Sequence, residues 1–242
     1  NPVDFVMKAA WLAVVISLGR LSGEVERIDD ASASVTGFPL VSGGKAAAIV
    51  LPPDAPEVVK IAAGDLAADI AEVSGAKPEV LTTAPADKVR PRVELVIPPD
   101  LSGRWEAFRI STKPGVLTIA GSDKRGLAFG IYELSRRIGV SPWHWWADVP
   151  ARRCSELKLT FGDEPVEQPA VKYRGIFVND EDWGLQPWAA KTFEPEVKDI
   201  GPKTYAKVFE LLLRLRANTI WPAMHECTKG FHLIPGNAVV AD

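Results

Sequence analysis

Residues 174–188, RGIFVNDEDWGLQPW, start as a β-prone run and end in an acidic, aromatic stretch. The surrounding segment, VKYRGIFVND (171–180), is almost continuously apolar up to Val178. Such a run is typical of a parallel strand that is covered on both faces. After about twenty residues without regular periodicity, a helix and a second strand, TIWPA (219–223), follow. A strand, a long loop, a helix and a strand form one βα unit and the start of another, which predicts an α/β barrel or an open sheet.

The predicted helix begins at Pro202, a residue that is favoured in the first turn of a helix. A Glu210/Arg214 pair spaced i, i+4 is expected on its polar face. The residues predicted on its apolar face are Tyr205, Val208, Phe209, Leu212 and Leu215.

Acidic and aromatic residues follow both predicted strands. In a (β/α)₈ barrel the carboxyl ends of the strands face the active site, so these residues are candidates for chemistry or substrate binding. The alternative is that the carboxylates are solvated loop residues with a capping role. The candidates are Asp180, Glu181, Asp182 and Trp183 after the first strand, and Trp221, Met224, His225 and Glu226 after the second.

The N-terminal half alternates strand-like and helix-like periods from Ile49 onward. Two segments are predicted helices that each end at a glycine: APEVVKIAAGDLAADIAEVSG (55–75), which has helical spacing, and KRGLAFGIYELSRRIG (124–139). STKPGV (111–116) is a hairpin signal. We predict an α/β sandwich-like domain over 24–165, a linker at GDEPVEQPA (162–170) and a second domain over 166–242. No glycine pattern has phosphate-loop spacing. The apolar positions predicted for the first helix are Val58, Ile61, Ala62, Leu66, Ile70 and Val73.

Residues 1–23 have the features of a secretory signal with a few residues in front of it. Met7 and Lys8 precede the apolar run AAWLAVVISL, which is too short to span a bilayer of roughly 30 Å. Small residues at Ser17 and Gly19 offer a cleavage pattern. The pattern predicts a secreted or periplasmic protein, and the alternative is a buried N-terminal helix.

Charge and cysteine content exclude several classes of partner. A net charge of −3 over 242 residues gives no general attraction to nucleic acid or to anionic lipid. Cys154 and Cys227 do not describe a disulfide framework, and no metal-ligand spacing is present. His225 and Cys227 with Glu226 between them are the one conceivable ligand trio, and ordinary loop residues are the alternative. We therefore expect no metal and no cofactor.

Tryptophans cluster in PWHWWADVP (142–150). Trp143, His144, Trp145 and Trp146 could present aromatic faces to a sugar, or they could form a domain interface. A similar pair of alternatives applies to Lys124 and Arg125, which could meet a uronate carboxylate or could pair locally.

Three long stretches resemble glycoside hydrolase family 115, the xylan α-glucuronidases. They are residues 119–150 (IAGSDKRGLAFGIYELSRRIGVSPWHWWADVP), 174–196 (RGIFVNDEDWGLQPWAAKTFEPE) and 201–237 (GPKTYAKVFELLLRLRANTIWPAMHECTKGFHLIPGN). The resemblance implies an N-terminal, hexosaminidase-accessory-like α/β domain followed by the first βα units of a (β/α)₈ TIM barrel, truncated at Asp242. It also implies inverting removal of α-1,2-linked glucuronic acid, or its 4-O-methyl ether, from xylan. The expected partner is glucuronoxylan or its oligosaccharides, and a homodimer through further domains is compatible with the resemblance.

An inverting glycosidase needs two carboxyl groups roughly 6.5–9.5 Å apart. Adjacent carboxylates on an extended strand point in opposite directions, so we select only Asp180 as the site-facing carboxylate, and we expect the main acid and base beyond residue 242. A non-catalytic carbohydrate-binding protein and another hexosaminidase-like glycosidase are the two alternatives. The expected substrate-binding residues are Asn179, Trp183, Trp221, His225 and Trp145.

Overall fold

The computed structural model describes residues 24–27, 37–87, 89–161, 165–179 and 184–242. The strands are β1 (Glu24–Arg27), β2 (Phe38–Ser42), β3 (Lys45–Ala46), β4 (Ala48–Val50), β5 (Val80–Leu81), β6 (Arg92–Val96), β7 (Phe108–Lys113), β8 (Val116–Gly121), β9 (Leu157–Thr160), β10 (Gly175–Phe177) and β11 (Thr219–Trp221). The helices are α1 (Glu57–Ser74), α2 (Lys124–Arg137), α3 (Leu185–Trp188), α4 (Pro202–Arg214) and α5 (Asn237–Ala241). This mixed α/β content agrees with the predicted fold class.

A five-stranded sheet forms the centre of the N-terminal half, in the order β5-β4-β6-β8-β7. Its first four strands are parallel, and β7 pairs antiparallel with β8 through the predicted hairpin. Gly115 in the hairpin turn has a φ of +76°, a conformation that favours glycine. A second, antiparallel sheet has the order β1-β9-β2-β3 and contributes to the same core.

Helices α1 and α2 pack against each other, and α2 lies on β7 and β8. Both end near glycines in positive φ, Gly75 at +79° and Gly139 at +102°, as the sequence predicted. The predicted apolar stripe of α1 is correct for four positions, but Val58 is only half-buried and Ile61 is 51% exposed. Small residues complete the buried stripe instead, because Ala63 and Ala67 allow α1 to approach its neighbours closely.

The C-terminal part contains one βα unit and the strand that follows it. Strands β10 and β11 are parallel, with Ile176 opposite Ile220 and Phe177 opposite Trp221. Contrary to the expectation of a strand covered on both faces, Ile176 and Phe177 are 41% and 53% exposed. The reason is that β11 is the one strand paired with β10 among the described residues. The loop after β10, predicted to be irregular, contains α3 and a π-helical turn at Ala189–Phe193.

Helix α4 covers one side of this small sheet. Tyr205, Val208 and Leu212 are buried as predicted, whereas Leu215 is 41% exposed because the helix ends at Arg214. Residues of the predicted linker also belong to the fold, since Glu167 exchanges two backbone hydrogen bonds with Phe108. In the described part of the chain, no helix is long and apolar enough to cross a membrane.

Candidate active site at the carboxyl ends of two parallel strands

The carboxyl ends of β10 and β11 lie side by side and form an exposed aromatic edge. The Val178 N–H donates to the Trp221 carbonyl at 2.9 Å and closes the last pairing between the strands. The rings of Phe177 and Trp221 meet edge to face, with centroids 5.8 Å apart. Trp221 is 62% exposed, so a large aromatic face is open to solvent at this edge.

The two faces of the small sheet have different roles. Ile220 packs against Val208 and Leu212, so its face is turned toward α4. Side chains alternate along a strand, which places the Phe177–Trp221 pair on the opposite face. The same alternation places the exposed Asn179 on the side of Phe177. Two of the predicted substrate-binding residues, Asn179 and Trp221, are therefore brought to one edge.

The loop after β11 is folded back on itself and anchored. The Trp221 Nε1–H donates to the Met224 sulfur at 3.0 Å, and the His225 carbonyl accepts from both the backbone N–H and the hydroxyl of Thr228 at 3.0 Å. Buried Asp199 holds the end of this loop by accepting from the Lys229 N–H at 3.0 Å. His225 itself is exposed and available to a ligand.

The acidic run after β10 lies outside the described residues. Asp180 and Trp183, predicted as the site-facing carboxylate and a substrate-binding aromatic, belong to it, together with Glu181 and Asp182. Their assignments stay predictions.

Trp145 lies in an aromatic cluster between the two halves of the chain. Its ring meets those of Trp146, Trp188 and Phe193 at centroid distances of 4.8, 5.9 and 5.2 Å. The Lys207 ammonium lies 5.4 Å from its centroid, and Trp146 donates its Nε1–H to the Lys207 carbonyl at 3.1 Å. These contacts are those of an interface, the second of the two alternatives for this segment.

The amino ends of β10 and β11 are docked on the N-terminal half through a buried carboxylate. Glu106 is 2% exposed, and it accepts hydrogen bonds from Arg174, which precedes β10, and from Asn218, which precedes β11. Arg125 donates to the same carboxylate at 2.8 Å, which is the local pairing that the sequence offered as one of two alternatives for this residue. This cluster could not be predicted from local sequence patterns, because its members are up to 112 residues apart.

A second buried carboxylate, Glu133, reinforces the same interface. It pairs with Arg136 and Arg137 on its own helix and with Arg216 across the interface, at 2.7, 2.8 and 2.7 Å. Burial alone would raise the pKa of Glu133, but hydrogen bonds from Arg136 and Arg137 and the charge of Arg216 lower it to about 2. The ion pairs therefore lie at the amino ends of the strands, away from the aromatic edge.

No group of three or more potential ligands for a metal ion occurs among the described residues. His225, Glu226 and Cys227 thus show no metal-binding cluster within that part of the chain.

The chain is similar to known glycoside hydrolases in sequence and in structure. The sequence profile of glycosyl hydrolase family 115 matches residues 166–242, which include both strands and the loops after them. A solved structure of a family GH115 4-O-methyl-α-glucuronidase with specificity for decorated arabinogalactans is 40% identical over 84% of this chain, with a TM-score of 0.75. The chain belongs to glycosyl hydrolase family 115. This family 115 chain spans 28% of the length of that relative.

Two other solved structures are more distant. A GH138 enzyme targeting pectin rhamnogalacturonan II is 16% identical, with 72% of this chain and 24% of that chain covered and a TM-score of 0.46. A Streptomyces plicatus β-hexosaminidase is 15% identical, with 81% and 32% covered and a TM-score of 0.47. No curated protein sequence matched this family 115 chain.

Proposed function

We propose that the full-length protein is an α-glucuronidase that removes α-1,2-linked glucuronic acid, or its 4-O-methyl ether, from a decorated plant polysaccharide. Membership of family 115 and the 40% identity to a 4-O-methyl-α-glucuronidase carry this proposal. Xylan is the substrate that the sequence resemblance implies. Decorated arabinogalactan is the second candidate, because that relative is specific for decorated arabinogalactans.

In this proposal β10, α4 and β11 are the first βα units of a (β/α)₈ barrel. Two features support it: the strands are parallel with a helix between them, and the face carrying Phe177 and Trp221 is apolar and open. The site then lies at the carboxyl ends, where Asn179 would hydrogen-bond sugar hydroxyls. Trp221 would stack on a sugar ring, and His225 and Trp183 would line the same loops.

The proposed mechanism is inverting hydrolysis with two carboxyl groups. One donates a proton to the leaving oxygen while the other takes a proton from the attacking water, so the anomeric centre inverts. Asp180 is our candidate for a carboxylate that holds hydroxyls or orients water. The main acid and base would lie on later barrel strands, so a 242-residue chain alone should be inactive. No cofactor or metal is required by this chemistry.

The test is a direct assay of the full-length gene product. Glucuronoxylan and glucuronidated arabinogalactan are incubated separately with the enzyme, and released uronic acid is measured by anion-exchange chromatography. Proton NMR at early times should show the β-anomer of the released sugar before mutarotation. Release of the α-anomer would contradict inversion, and release from neither polysaccharide would contradict the proposed substrate class.

A further inference from the structure

We infer that Glu106 is a positioning residue for the candidate active site, because its buried carboxylate joins the starts of the two strands whose other ends form that site. The inference rests on the proposed function only where the experiment below measures the binding of glucuronic acid. Its structural basis is the set of contacts that one carboxylate makes to α2 and to the residues immediately before β10 and β11.

Both oxygens of Glu106 are used. Oε2 accepts from Arg174 Nη2 at 2.6 Å, and Oε1 accepts from Arg125 Nε at 2.8 Å. The Asn218 Nδ2 group lies 2.9 and 3.0 Å from the two oxygens, so it bridges them. Charge-assisted hydrogen bonds are stronger than neutral ones. The buried Glu106 carboxylate therefore holds the side chains of Arg174, Arg125 and Asn218 together.

The backbone at Glu106 is held in an unusual conformation. Its φ is +50°, which a residue with a side chain adopts at a cost, and its N–H donates to Asp123 Oδ2 at 2.6 Å. Asp123 also caps α2 by accepting from the Gly126 N–H at 2.8 Å. The carboxylate therefore projects from a rigid support on the N-terminal half.

The donors of Glu106 also set the register between the strands. The Asn218 N–H donates to the Arg174 carbonyl at 2.8 Å, and the Arg174 N–H donates to Asn218 Oδ1 at 3.1 Å. Phe177 and Trp221 each lie three residues further along. At about 3.3 Å per residue, Glu106 holds Arg174 and Asn218 roughly 10 Å along the strands from the aromatic edge.

This arrangement separates anchoring from chemistry along each strand. Glu106 holds the amino ends, and the carboxyl ends keep Asn179 and Trp221 exposed to a ligand. Loss of the carboxylate should let β10 and β11 move relative to each other and misplace those two residues.

The test uses Glu106→Gln in the full-length protein, because the amide keeps the shape of the side chain but replaces one acceptor oxygen with an NH2 donor that faces the Arg and Asn donors. Asp69→Asn is the matched control. Asp69 is equally buried and also binds an arginine of the C-terminal part, but it contacts α4 and neither strand. Hydrogen–deuterium exchange is measured in peptides covering 174–179 and 218–224, and the Kd of glucuronic acid is measured by calorimetry. Each protein is held the same number of degrees below its own Tm.

We expect exchange in both peptides to accelerate about tenfold in Glu106→Gln and the Kd to rise by a similar factor, with Asp69→Asn unchanged in both readouts. A merely structural role would lower the Tm in both variants and leave exchange and Kd unchanged, which would overturn the inference. If Glu106→Gln fails to fold, Asn218→Ser removes the bridging donor and keeps both arginine pairs. If wild-type protein does not bind glucuronic acid, the proposed function fails while the exchange data still decide the role of Glu106.

Discussion

Arg214 of α4 and Asp69 of α1 form a two-hydrogen-bond ion pair, with Nη1–Oδ2 at 2.8 Å and Nη2–Oδ1 at 3.2 Å. Both side chains are 4% exposed. Arg214 also donates to Glu210 on its own helix at 2.9 Å and lies over the Tyr132 ring at 4.8 Å. The i, i+4 pair predicted from the sequence is thus one part of a buried cluster. Burial alone would lower the pKa of Arg214, but the hydrogen bonds and charges of Asp69 and Glu210 raise it above its usual value.

Asp69→Asn should lower the free energy of unfolding by about 3 kcal/mol, because it leaves a buried guanidinium with an incomplete set of charged partners. Urea denaturation of the purified protein measures this loss. Glu57→Gln is the control, since that carboxylate is 74% exposed in its pair with Lys60 and its loss should cost less than about 0.5 kcal/mol. Equal effects of the two changes would contradict the role given to the buried pair.

Glu133 should make the protein sensitive to acid. Its pKa of about 2 lies below the usual value of 4.5, so its ion pairs stabilise the fold above pH 4.5 and are lost as the pH falls through about 2. The lowered pKa corresponds to up to about 3 kcal/mol. Thermal unfolding between pH 7 and pH 2.5 should show a smaller drop in Tm for Glu133→Gln than for wild type, although the variant starts lower. Parallel Tm curves for the two proteins would contradict this assignment.

Gly175→Ala should separate β10 from β11, because a Cβ at that position would lie 1.8 Å from the Thr219 carbonyl oxygen. We expect a loss of roughly 2–3 kcal/mol or local unfolding of the C-terminal part. Gly64→Ala is the matched control: Gly64 lies inside α1 with nothing within 4 Å of the added Cβ. That change should stabilise the protein by about 0.5–1 kcal/mol. A Tm for Gly175→Ala equal to that of wild type would show that the close approach is not essential.

In the full-length enzyme, Asp180→Asn should reduce kcat on the order of a hundredfold or more if Asp180 orients water or takes part in proton transfer. Glu181→Gln should cost far less, because adjacent residues of an extended chain point in opposite directions. Steady-state kinetics on glucuronoxylan compare the two variants. Near-normal turnover of Asp180→Asn would move the catalytic assignment to other strands.

Export remains a prediction that mass spectrometry can check. Mature protein from a bacterial host should lack the residues up to a point between Gly19 and Gly23, a cut that keeps β1 intact for its pairing with β9. Secreted material that retains Trp11 would contradict it.

The sequence alone determined those features that depend on local patterns. Periodicity located α1, α2 and α4, with glycines at the ends of α1 and α2 and Pro202 at the start of α4. The STKPGV signal located the β7–β8 hairpin, because these elements are specified by residues close in the chain. The quoted family stretches identified family 115 for the same reason: the identity of consecutive residues needs no knowledge of contacts.

Only the tertiary structure decided what Glu106, Glu133 and Asp69 do. The sequence does not distinguish a buried carboxylate from an exposed one. The partners of these three carboxylates are Asn218, Arg216 and Arg214, which lie 83–145 residues away in the chain. Local spacing carries no information about such pairs, because burial and charge pairing are set by how the two halves of the chain pack. The same packing decided that Trp145 lies in an interface while Trp221 stays open to solvent at the strand ends.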